Sequence, residues 1–268
     1  MAHLEKLPDE PLARLRAIVS LLRSPEGCPW DREQTHQSLR AGLLEEACET
    51  IDAINNADDA NLREELGDLL LQIVFHADLA KERGAFTLED AAQHTCEKLI
   101  RRHPHVFADG DAADTGTVLR QWEQLKRAEK GEKASVMDGI PRALPALIRA
   151  ANIQKKAGRV GFDWPDAQGV IDKFREEINE LSVEVEGGDP KRLEHEIGDI
   201  LFTAVNMARK LGVEPELALE HANQRFIARF QHMEQCAAEN DQKLEDLTPE
   251  DLEKLWQEAK SRSGVPAA

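Results

Sequence analysis

Apolar residues recur along this chain at helical spacing. In residues 41–77, Leu66, Leu69, Leu70, Ile73, Val74 and Ala77 fill one broad face when successive positions turn by about 100°. Leu71 and Phe75 lie on the other side, flanking Asp68. A helix that is apolar almost all round is normally buried, so the pattern predicts a partly enclosed Asp68. Upstream, Leu12, Leu15, Ile18, Val19 and Leu22 predict a first helix over 8–23, ended by Pro25, Gly27 and Pro29 in SPEGCPWD. Gly84 breaks the helix of Asp68. Thr87, with Glu89 and Asp90 behind it, then caps another helix reaching about residue 102. A polar loop over 103–117 and a helix carrying Trp122 follow. Alternating apolar and polar runs of the kind that mark strands are missing, and the chain reads as all-α.

The polar positions add chemistry to this pattern. Glu45, Glu46 and Glu49 form E-E-x-x-E on one helix, and Glu65 and Asp68 form E-x-x-D on the next. Residues three or four apart share a helix face. The Asn- and Asp-rich stretch from Asn55 to Asn61 is a turn that folds the second helix back on the first. Glu46, Glu49, Glu65 and Asp68 then converge. Acidic helical residues are most often solvated surface, but an enclosed Asp68 argues otherwise. Unit charges about 4 Å apart repel by roughly 4 kcal/mol at an effective dielectric near 20, so converging carboxylates bind either protons or cations. Hard oxygen ligands suit Mg²⁺ or Mn²⁺.

The second half repeats the first. Glu176, Glu177 and Glu180 restore E-E-x-x-E, and Glu196 and Asp199 restore E-x-x-D, with GGDP at 187–190 as the turn. The interval from Glu46 to Glu65 equals that from Glu177 to Glu196, and Glu49 to Asp68 equals Glu180 to Asp199. Downstream, Lys98 and Arg102 in the basic cluster EKLIRRHPHVF are matched by Arg225 and Arg229 in QRFIARF, and Trp122 in QWEQLK by Trp256 in LWQEAK. Chance acidic helices would not keep both register and partners. The Gly, Pro and charge content of GEKASVMDGIPRALP marks a connector, which divides the chain into residues 1–135 and 136–268.

Composition narrows the partners. The 268 residues carry a net charge of −17, from 34 Lys and Arg against 51 Asp and Glu. That balance argues against a general binder of nucleic acid or anionic membranes. Cys28, Cys48, Cys96 and Cys236 are scattered without a C-x-x-C pair and read as reduced, mostly packed thiols, not as zinc ligands or a disulfide framework. With no signal-type apolar stretch and no run of membrane-span length, the expectation is a soluble, cytoplasmic protein. P-loop, Rossmann and metalloprotease patterns are missing. His103 and His105 read as helix-end packing residues.

The pair LLEEACETIDAI with LREELGDLLLQIVFHA, then EKLIRRHPHVFAD, and the second copy REEINE with EIGDILFTAVNMARKLG, closely resemble the tandem-domain MazG nucleoside triphosphate pyrophosphohydrolases. These belong to the all-α NTP pyrophosphohydrolases. The likeness runs from about Leu12 to Lys260. It implies two MazG-like helical bundles completed by dimerisation, and Mg²⁺-dependent hydrolysis of nucleoside triphosphates between the α and β phosphates, giving NMP and pyrophosphate. Carried over by position, it implies metal ligation by Glu177, Glu180, Glu196 and Asp199, and by Glu46, Glu49, Glu65 and Asp68 in the first copy. Glu176 and Glu45 either orient water or cap the site. Lys173, Arg225 and Arg229 hold phosphates by charge-assisted hydrogen bonds, with Lys98 and Arg102 as first-copy counterparts. Trp256 is a base-stacking platform, matched by Trp122. The first copy has Gly42 where Lys173 stands and Phe75 where Asn206 stands, which places the working site in residues 136–268.

Three other readings compete. REELGD shares letters with the Nudix box, but that box needs an upstream Gly and Glu and a strand-rich scaffold. Phosphoribosyl-ATP pyrophosphohydrolases are typically single short modules. An acidic helical scaffold that binds divalent ions without turnover would not need complete ligand sets in both copies.

Overall fold

The computed structural model describes residues 7–108, 114–130 and 135–262. Every regular element among them is helical. The chain divides into two compact units, Met1–Glu132 and Lys133–Ala268.

The first unit runs α1 (Pro11–Leu22), α2 (Pro29–Glu33), α3 (Arg40–Asn55), α4 (Asp59–Glu82), α5 (Leu88–Arg102), α6 (Pro104–Phe107) and α7 (Thr115–Lys130). Helices α3 and α4 form its central hairpin. In the turn between them Ala57 takes a left-handed φ of 53°, and the Asp58 carboxylate accepts from the N–H groups of Ala60 and Asn61 to cap α4. Val19, Leu39, Val74, Phe75 and Leu79 make the core, with Leu15, Leu71 and Leu88 packed against it. Thr87 caps α5 through a reciprocal box with Asp90.

Two expectations are corrected here. The stretch 103–117 is not a continuous loop. Pro104, with its φ preset for a first helical position, opens the short α6, and α7 already begins at Thr115; residues 109–113 lie outside the described residues. Nor is α4 enclosed along its whole length. Val74, Phe75, Ala77, Leu79 and Ala80 are buried, whereas Leu66 and Ile73 keep 50% and 46% of their surface. Within the unit α4 packs chiefly on α3 and α1, so one apolar flank is left open.

The second unit contains α8 (Ala146–Gly158), α9 (Ala167–Gly187), α10 (Pro190–Lys210), α11 (Pro215–Glu239) and α12 (Pro249–Arg262), with a 3-10 turn at Leu244–Asp246. Its central hairpin is α9 and α10. Gly188, at φ 68°, ends α9 in the left-handed conformation that glycine adopts without strain. Asp189 then caps α10 by accepting from the N–H of Lys191, with Pro190 as the first helical residue. Helix α8 packs across α10 and α11, and α12 lies along α11. The connector's first residues, 131–134, fall outside the described residues. Beyond them Lys156 donates to the carbonyls of Val136 and Asp138 at 3.0 and 2.6 Å and fastens the connector to α8.

Candidate functional site

Both hairpins bring their glutamates together. One carboxylate oxygen from each of Glu46, Glu49 and Glu65 lies within 4.8 Å of the other two, and the same holds for Glu177, Glu180 and Glu196. Asp68, one turn beyond Glu65, is close enough to raise the carboxyls of Glu46 and Glu65. Loss of surrounding water is the main cause of the rise at Glu46, followed by the charges of Asp68 and Glu49. Glu65 is raised first by lost water and then by Glu49. Glu180 is also raised, mainly by lost water; Lys173 opposes the rise and Glu177, Glu176 and Glu196 add to it. Crowded carboxyls that resist losing their protons fit a divalent cation, which relieves the repulsion that holds them up. The donor set is all oxygen and suits Mg²⁺.

The copies neutralise their innermost glutamate differently. Glu177 is only 4% exposed, and the Lys173 ammonium lies 2.8 Å from it and 2.9 Å from Glu176. These partners, Glu177 foremost, push the Lys173 pKa upward. In the first unit the matching position is Gly42. A Cβ placed there would come within 3.0 Å of the Gln72 side-chain nitrogen. Gln72 hydrogen-bonds to Glu46 in place of the missing lysine. An amide therefore stands in the first copy where the second has a full positive charge.

Beside the second cluster opens a cavity of about 760 Å³. Lys173, Glu177, Asp199 and Asn206 line its polar side, and Ile153, Phe162, Trp164 and Phe202 its apolar side. His195 approaches Asp199 at 3.5 Å from outside. Asn206 accepts from Arg209 at 2.7 Å, while Phe75 in the first copy is part of the core.

The basic and aromatic candidates gather elsewhere. The Arg229 guanidinium lies 5.7 Å from the Trp256 ring centre, and Phe226 packs on the same ring at 5.2 Å. In the first unit Arg102 lies 5.4 Å from Trp122, whose other neighbour is His103. The matched Arg-on-Trp pairs extend the repeat to the packing level. Glu129 accepts from Arg102 and Arg101, and the Arg102 bond foremost holds its carboxyl down to about 2. Among the described residues lining the cavity, Arg225, Arg229 and Trp256 do not occur. Lys98 is half-buried on α5.

Sequence reasoning missed the residues that shape the cavity's far wall. Gln154 is buried and donates to the Phe202 carbonyl at 2.7 Å. Asp163 accepts from Arg209 at 2.5 and 3.0 Å and from Lys210 at 2.9 Å. The one available signal was GFDWP, an Asp and Trp set between Gly and Pro just before α9.

Asp163 supports a pH prediction. Hydrogen bonding by Arg209, ahead of Lys210, holds its carboxyl at about 2 against an ordinary 3.8. The folded pKa is depressed, so the stabilisation is complete above the unfolded value and disappears as pH falls from about 4 towards 2. Its size is about 2 kcal/mol. Thermal unfolding of the wild type and Asp163→Asn should show a gap near neutral pH that closes on acidification. A gap that stays constant down to about pH 2 would count against this role.

Comparison with known proteins accounts for the doubled arrangement. The MazG nucleotide pyrophosphohydrolase domain matches twice, over residues 34–107 and 166–236. The chain is 50% identical to the nucleoside triphosphate pyrophosphohydrolase/pyrophosphatase MazG of Thermotoga maritima, over 92% of this chain and 94% of that one. It is 46% identical to a nucleoside triphosphate pyrophosphohydrolase of Escherichia coli, over 92% and 96%. Bacillus subtilis YabN is 46% identical over 96% of this chain and 53% of its own length. With two carboxylate hairpins in register and likeness along nearly the whole chain, the protein belongs to the MazG nucleotide pyrophosphohydrolase family.

Proposed function

We propose that this chain hydrolyses nucleoside triphosphates between the α and β phosphates, releasing NMP and pyrophosphate, and that the second unit carries the working site. The observation that favours the second unit is Lys173, paired with Glu177 of the trio Glu177, Glu180 and Glu196, on the wall of a cavity of about 760 Å³ that Glu177 and Asp199 also line. Glu177, Glu180, Glu196 and Asp199 would hold Mg²⁺, or Mn²⁺ in its place. Bound there, the ion supplies positive charge that offsets the triphosphate and the charge developing during transfer.

The protein's own groups do the rest. Lys173 sits between the carboxylates and the cavity and presents its ammonium to a phosphate. Glu176, held by Lys173 and more than half exposed, is placed to accept a proton from water at the rim. Ile153, Phe162 and Phe202 offer the substrate an apolar wall on one side of the cavity. Arg225, Arg229 and Trp256 on α11 and α12 are the further phosphate and base contacts, with Lys98, Arg102 and Trp122 as their first-unit equivalents. The first unit keeps Glu46, Glu49, Glu65 and Asp68 as a metal-binding module in which Gln72 replaces the cation.

The assembly we propose is a homodimer. Leu66 and Ile73 on α4, and Ile197 and Leu201 on α10, leave about half their surface exposed on the helices that carry the carboxylates. Apolar strips of that kind mark protein contacts. Light scattering should give twice the chain mass; a monomer at micromolar concentration would contradict it. The activity itself is tested by pyrophosphate release from a panel of ribo-, deoxy- and oxidised nucleoside triphosphates, with and without Mg²⁺. Release only with the metal supports the reading, and no release from any nucleotide supports a scaffold instead.

A further inference from the structure

A second constellation of ligating groups lies away from the glutamate trios. On α11, His232 and Cys236 are one turn apart and face the same way, with the thiol sulfur 3.5 Å from the His232 Nε2. Glu258 reaches them from α12. One donor atom from each of the three lies within 4.8 Å of the other two. A nitrogen, a sulfur and an oxygen at that separation close on a tetrahedral ion with small side-chain movements, since such ligands stand about 2.0–2.3 Å from zinc. The sulfur is decisive for selectivity. Thiolate favours Zn²⁺ over Mg²⁺, whereas the all-carboxylate trios favour the hard ion.

We propose that His232, Cys236 and Glu258 supply three ligands of a Zn²⁺ site, with water completing the tetrahedron, and that the ion fastens α12 to α11. The neighbouring groups permit it. Among the described residues Glu258 also pairs with Arg262 at 3.2 Å, one turn along the same helix and largely exposed. Such a surface pair is weakly held and leaves the carboxylate free to turn. Lys254 is engaged by Asp251 at 2.7 Å. The site has a consequence for the nucleotide platform. Glu258 follows Trp256 by two residues, and His232 follows Arg229 by one turn, so an ion here holds together the two helices that make the Arg229–Trp256 pair.

The test is a Co²⁺ titration of the full chain, stripped of metal and kept in excess Mg²⁺ so that the carboxylate trios are filled. One equivalent should produce the near-ultraviolet charge-transfer band of cobalt on thiolate, and Zn²⁺ should abolish it. The band should vanish in Cys236→Ser and persist in the combined Cys28→Ser, Cys48→Ser, Cys96→Ser variant. Zn²⁺ should raise the melting temperature of the wild type and not that of Cys236→Ser, whose circular dichroism shows whether it is folded. No band in the wild type, or a band that survives Cys236→Ser, overturns the proposal.

Discussion

Replacing Glu180 by Gln lowers kcat for triphosphate hydrolysis by about 10²–10³-fold, the usual cost of removing one preorganised electrostatic group from a reacting site. The exchange keeps the shape of the side chain and removes its charge. Glu180 is exposed, so its amide fits the same space. Its carboxyl is raised because it is short of water and faces Glu177, Glu176 and Glu196. In metal-free protein the substitution removes repulsion from the neighbouring glutamates together with attraction to Lys173, so the melting temperature should change little. Activity falling while stability holds is the signature of a residue kept for function. A parallel loss of both would mean that Glu180 is structural. The sign of the pH effect follows from the same crowding. A carboxyl with a raised folded pKa stabilises the fold below its unfolded pKa, and that contribution is lost as pH rises through the folded value. Chelated protein should therefore weaken as these carboxyls ionise, and Mg²⁺ should cancel the loss.

Replacing Lys173 by Met lowers kcat/KM by about 10- to 100-fold, which is a charged hydrogen bond of about 1.5–3 kcal/mol. Two effects combine. The phosphate loses its cationic contact at the cavity wall, and the buried Glu177 loses the ammonium 2.8 Å away. An unpaired buried charge is costly, so stability should fall as well, and Mg²⁺ should recover part of it by taking over as counter-charge. Lys173→Arg keeps the charge and should recover part of the activity. If Lys173→Met turned over with unchanged kcat/KM, the lysine would serve only as a counter-ion for Glu177.

The hairpins were legible because they are written locally. Apolar spacing marks α4, the repeated carboxylate motifs mark α3, α9 and α10, and Asp58, Asp189 and Gly188 punctuate them within a few residues. The equal intervals between glutamates are visible without any coordinates, and the folded hairpins place Glu46 by Glu65 and Glu177 by Glu196. What sequence could not give depends on contacts distant in the chain. Gln154 reaches the cavity only because α8 packs across α10. Asp163 meets Arg209 from the far end of the hairpin. The open flank of α4 was misjudged for a related reason. Periodicity reports that Leu66 and Ile73 are apolar, but not whether the same chain covers them. Gly42 was recognised as a difference from Lys173, yet its meaning lay in Gln72, which fills the space beside it.

The most direct measurement is pyrophosphate release, with Mg²⁺ present, by the wild type, Glu180→Gln and Glu49→Gln under the same conditions. The two substitutions fall at matching positions of the two trios, so they differ chiefly in which unit they disarm. Glu180→Gln should lower release by about 10²–10³-fold while Glu49→Gln keeps most of it. Turnover that survives Glu180→Gln and disappears in Glu49→Gln would contradict the placement of the working site in the second unit.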